Sequence, residues 1–65
     1  MDEKLIFNDI SNEKYRFYVF VKGRIVINNP FKLNISPSGI HTIIDFSGNT
    51  YFIPFGWKTI VWASK

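Results

Sequence analysis

Sixty-five residues with twelve aromatics, no cysteine, one histidine and a formal net charge of +3 leave room for one domain and a small core. Without cysteine there is neither a disulfide nor a thiolate metal site to brace the fold. That excludes the disulfide-rich secreted class and leaves apolar packing or self-association to hold the chain together.

Ten isoleucines and seven phenylalanines against one alanine, two leucines and no glutamine favour strands, because β-branched and aromatic side chains suit a pleated surface and lose rotamer freedom in a helix. No run approaches the roughly 20 apolar residues of a membrane-spanning helix. The opening Met1-Asp2-Glu3-Lys4 is acidic where a secretion signal is basic. The expectation is a soluble, cytoplasmic, all-β chain forming one domain over 1–65.

Glycine, proline and asparagine cut the chain into seven short runs: 4–10, 15–22, 24–28, 31–35, 40–46, 50–55 and 58–63. With no helical run to cover a flat sheet, five to seven such strands predict a small barrel or a strongly bent antiparallel sheet. The first run lies in an acidic segment, 1–13, that is read as a first strand, a short helical turn or a tail.

The second and third runs meet around Gly23. A loop of Lys22, Gly23 and Arg24 pairs Val21 with Ile25 and Val19 with Ile27, which gives a clean core face of Phe17, Val19, Val21, Ile25 and Ile27. A two-residue Lys22-Gly23 loop is the alternative; it pairs Phe20 with Ile25 and Tyr18 with Ile27 and leaves both faces partly apolar. The three-residue register is preferred.

Around Gly48, a two-residue Gly48-Asn49 turn pairs Phe46 with Tyr51 and Ile44 with Ile53, so these four residues form a core face. Pro54 removes a ladder donor, so the sheet is expected to end, bulge or turn a corner there, with Gly56 helping the bend. In the last run, Trp62 is expected to close the core, whereas Trp57 is placed equally well in the core or in a contact with a protein partner.

Charge is unevenly distributed. Residues 1–13 hold Asp2, Glu3, Asp9 and Glu13 against Lys4, whereas 14–65 hold Lys14, Arg16, Lys22, Arg24, Lys32, Lys58 and Lys65 against Asp45 alone. A basic body favours polyanionic partners. In the preferred register Arg16, Tyr18, Phe20 and Lys22 alternate on the outward face, beside Arg24. Rings there would stack on bases while the cations, extended by Lys32 and Lys58, hold phosphates.

The expected function is therefore a non-catalytic module that binds single-stranded RNA or DNA. The alternative is a protein-interaction module, such as a small accessory or inhibitory protein of a phage or mobile element, that docks on a partner or self-associates. No cofactor, metal or small-molecule substrate is expected, since His41 is the sole imidazole and four of the five carboxylates fall in 1–13. A membrane partner is not expected either, as there is no basic amphipathic helix.

The order of a long strand, a hairpin, a second strand pair and a short closing strand broadly resembles small SH3-like or Sm-like barrels. Residues 29–35 (Asn29-Pro30-Phe31-Lys32-Leu33-Asn34-Ile35) and the stretch from Tyr51-Phe52-Ile53-Pro54 to Trp62 carry the likeness. It is a likeness of pattern, and it implies a fold without assigning any site residue.

Overall fold

In a computed structural model of the chain, residues 6–65 are described; the acidic Asp2 and Glu3 and the first two residues of the 4–10 run lie outside them. Each of the seven runs carries a strand: β1 (Asn8–Asp9), β2 (Glu13–Phe20), β3 (Gly23–Asn28), β4 (Pro30–Ile35), β5 (His41–Asp45), β6 (Thr50–Ile53) and β7 (Thr59–Ser64). The described residues form no helix, and so none long and apolar enough to cross a membrane.

The strands form two antiparallel sheets, β1-β4-β5-β6 and β3-β2-β7, with no ladder joining them among the described residues. Strand pairing thus produces two layers and no closed barrel. The core lies between them: Tyr18 and Ile27 come from the three-stranded sheet, and Leu33, Ile43 and Ile53 from the four-stranded one. β6 ends at Ile53, and Pro54 follows where the chain leaves one sheet for the other.

Both hairpins adopt registers other than those expected. In the first, Phe20 pairs with Gly23, Tyr18 with Ile25 and Arg16 with Ile27, so the turn is Val21-Lys22. This register turns Arg16, Tyr18 and Phe20 inward and Phe17 and Val19 outward, the reverse of the expected faces. In the second, Ile44 pairs with Thr50 and Ile43 with Tyr51, which places Ile43 in the core and leaves Phe46 54% exposed.

The second shift has a local cause. Oδ1 of Asp45 accepts hydrogen bonds from the backbone N–H of Ser47 and of Asn49 (both 2.9 Å), and Oδ2 accepts from Asn49 Nδ2 (3.1 Å) and the Tyr51 hydroxyl (3.0 Å). A carboxylate that gathers these donors closes a wider loop than a two-residue turn. The hydrogen bonds from Asn49, Tyr51 and Ser47 outweigh the effect of burial and hold the Asp45 carboxyl below its ordinary pKa.

The two layers share their ends. At one end, the Lys58 N–H donates to the Val19 carbonyl (2.7 Å), bringing the β6–β7 loop beside the β2–β3 turn. Phe55 packs over Gly39 in the β4–β5 turn, where a Cβ would stand 3.2 Å from the ring and φ is +89°. At the other end, the Asn29 N–H donates to the Lys14 carbonyl and the Phe46 N–H to the Asn29 carbonyl, both at 3.1 Å. Asn29, at φ 51°, turns the chain from one layer into the next, a conformation asparagine tolerates better than most residues.

Candidate functional site

The inward face of β2 carries a line of polar groups. Arg16 Nε and Nη2 donate to the two carboxylate oxygens of Glu13 (2.9 and 2.8 Å), Arg16 Nη1 donates to the Tyr18 hydroxyl oxygen (3.2 Å), and that hydroxyl lies 2.7 Å from His41 Nδ1 on β5. All four side chains are buried. Glu13 and Arg16, three residues apart, face the same way because β2 bulges between Glu13 and Tyr15: Glu13 pairs with Ser64 and Tyr15 with Ala63. Lys14 is the extra residue, and it remains exposed.

Arginine can only donate, so the Tyr18 oxygen accepts from Arg16; the arrangement that also pairs the Tyr18 proton sends it to Nδ1 of a neutral His41 whose own proton is on Nε2. Burial, with the Arg16 charge adding to it, holds the His41 pKa below its ordinary value. Burial also raises the Tyr18 pKa, against the opposing hydrogen bond and charge of Arg16. Burial disfavours the charge on Arg16, but the hydrogen bonds it donates to Glu13 and Tyr18 outweigh that effect and keep the guanidinium charged.

A depressed histidine pKa sets the sign of the pH dependence. As pH falls through the unfolded-state value of about 6.5, the unfolded chain takes up a proton that folded His41 refuses, so stability declines toward the lower folded-state value. Urea melts between pH 7.5 and 5 should show that decline, and His41→Phe should flatten it. An unchanged slope in the variant would assign the acid sensitivity elsewhere.

Trp57 closes this cluster, edge-on to Tyr18 (6.0 Å between ring centroids) and to His41 (5.6 Å). Its Nε1 is buried with no hydrogen-bond partner among the described residues. Of the two places open to Trp57 the fold takes the core, whereas Trp62, expected to close the core, is 54% exposed, with the Arg16 guanidinium 5.2 Å from its ring.

The expected basic and aromatic platform is thus not an outward surface. Arg16 and Tyr18 are buried and Phe20 packs against the core, because the register puts this set opposite His41. Lys22, Arg24, Lys32 and Lys58 are exposed: Lys22 in the β2–β3 turn, Arg24 at the start of β3, Lys32 on β4 and Lys58 just before β7. What the outward face of the three-stranded sheet does carry is Tyr15, Phe17 and Val19 from β2, Arg24 and Val26 from β3, and Val61 from β7.

On that face the Tyr15 and Phe17 rings lie nearly parallel, 17° between planes and 6.0 Å between centroids. The Arg24 guanidinium sits 5.5 Å from the Phe17 centroid. Val26, beside them, is 46% exposed. A signal for these two rings exists in the sequence, since they alternate with Arg16 and Tyr18, but both sets are aromatic and only the register separates them.

Folding also sorts the charges. Lys14, Lys22, Arg24, Lys32, Lys58 and Lys65 are exposed; Asp45 and Glu13 are buried, which leaves Asp9 as the one exposed acid among the described residues. No three His, Asp or Glu side chains among those residues converge to hold a metal. Set against known proteins, the chain matches no family model, no curated protein and no solved structure.

Proposed function

We propose that the protein is a non-catalytic module that binds single-stranded nucleic acid across the outward face of its three-stranded sheet. The observation that carries this reading is the Tyr15–Phe17 stack with the Arg24 guanidinium over it. Rings on a sheet offer bases a π-face, and adjacent cations take the phosphates; among the described residues, six exposed cations against one exposed acid supply the long-range attraction.

Fluorescence anisotropy with a mixed-sequence DNA or RNA oligonucleotide tests it. Phe17→Ala should weaken binding about fivefold or more, from a stacking contribution of ~1 to 3 kcal/mol per base. Arg24→Ala should lower the slope of affinity against salt by about 0.7, one phosphate contact on a single strand. The reading is lost if low-salt binding is absent, or if it persists unchanged in folded Phe17→Ala.

A second reading, docking on a protein, draws support from the turn end. Val21 and Phe55 there are 78% and 76% exposed, with Lys22 and Lys58 beside them, which fits an apolar recess rimmed by acids. The same assay separates the two, because the charge-neutral Val21→Ser and Phe55→Ser lie off the sheet face and leave oligonucleotide binding intact on the first reading.

A further inference from the structure

We infer that a strand bound on the sheet face continues past Tyr15 onto a second stacking site, the Phe31–Phe46 pair held between Lys32 and Lys65. This rests on the sheet-face reading and extends it from one patch to a track.

Phe31 and Phe46 come from β4 and the β5–β6 loop, and their centroids are 4.7 Å apart with 31° between planes. Each carries an ammonium group: Lys32 Nζ is 5.0 Å from the Phe31 centroid, and Lys65 Nζ is 4.8 Å from that of Phe46. Phe46 is 54% exposed, so a base reaches its ring by displacing the Lys65 ammonium that lies over it. The pair therefore repeats the chemistry of Tyr15, Phe17 and Arg24, a ring surface with cations beside it.

Its position makes the two sites consecutive. The backbone bonds from Asn29 to the Lys14 carbonyl and from Phe46 to the Asn29 carbonyl hold Phe46 at the end of β2 where Tyr15 stands. On the other flank of β2, the Lys65 N–H donates to the Asn12 carbonyl (2.8 Å), and the Lys65 side chain reaches the Phe46 ring. Phe46 thus caps the strand whose outward rings are Phe17 and Tyr15.

Among the described residues, no carboxylate forms an ion pair with either cation. Asp9 lies opposite Lys32 in the β1–β4 ladder; its carboxylate accepts from the Ser11 N–H (2.8 Å), which together with the more distant Lys32 charge holds its pKa below the ordinary value, and the two form no ion pair. The Asp45 carboxylate, next in sequence to Phe46, is taken up by Ser47, Asn49 and Tyr51. The ligand this leaves room for is a base on Phe46 with its flanking phosphates on Lys65 and Lys32.

A length series of oligothymidylates, from about three to about twelve nucleotides, tests the track by anisotropy on the full chain. Phe17→Ala should weaken every length. Phe46→Ala should leave the shortest oligomers unchanged and weaken the longer ones about fivefold or more. Lys65→Glu, which keeps both rings, should lower the salt slope for long oligomers only, by about 0.7. If Phe17-dependent binding is present but neither variant changes the length dependence, the track is wrong and the sheet face stands. If no oligomer binds, both are wrong.

Discussion

Glu13→Gln is expected to destabilise the fold by about 3 kcal/mol, the lower end of the cost of removing one partner from a buried ion pair. The variant keeps the shape of the side chain but leaves the Arg16 guanidinium, buried and held charged, without its counter-charge. The lower end applies because the guanidinium also lies over the half-exposed Trp62 ring. A chain of this length has about 3 to 10 kcal/mol of stability in all, so the loss should bring the urea midpoint close to zero denaturant or unfold the protein outright. A variant within about 0.5 kcal/mol of the parent would show that the pair is not the interior charge it is taken to be.

The pair does not owe its place to net stabilisation. Taking two charges out of water costs several kcal/mol per ion, which their attraction roughly repays. The double variant Glu13→Leu with Arg16→Leu should therefore recover most of what Glu13→Gln loses. Recovery in the double variant alongside loss in the single one separates an uncompensated charge from simple loss of packing.

Tyr18→Phe is the second large effect, about 2 to 3 kcal/mol. It removes one oxygen, but that oxygen serves two buried groups, Arg16 Nη1 and His41 Nδ1, and each group left unpaired costs about 1 to 3 kcal/mol. His41→Phe relieves one of them, so the double variant should be less destabilised than the sum of the singles by about 1 kcal/mol, as expected for residues in one network. Strict additivity in urea melts would break the proposed link between the sheets. An independent check is the nitrogen spectrum of His41, which should show the proton on Nε2 in the parent protein.

Much of the architecture was legible in the amino-acid order. The seven runs between turn residues became seven antiparallel strands, and the corner at Pro54 lies where a missing ladder donor puts it. The basic body was legible as well, though its sharpening was not: that Asp45 and Glu13 withdraw from the surface follows from a loop and a bulge that no count of charges reveals.

The faces were decided by tertiary structure, and the reason is specific. A strand with period two has two faces, and β2 is aromatic on both, Tyr15 and Phe17 on one and Tyr18 and Phe20 on the other. Counting apolar residues favours burying Phe17, Val19 and Val21. The fold instead buries Arg16 and Tyr18, because Glu13, turned inward by the bulge at Lys14, and His41, twenty-three residues away from Tyr18, satisfy their polar atoms. A partner that distant leaves no mark in local pattern, so the sequence by itself determined the strands and the positive charge, and only the packing of one sheet on the other decided which rings meet the solvent.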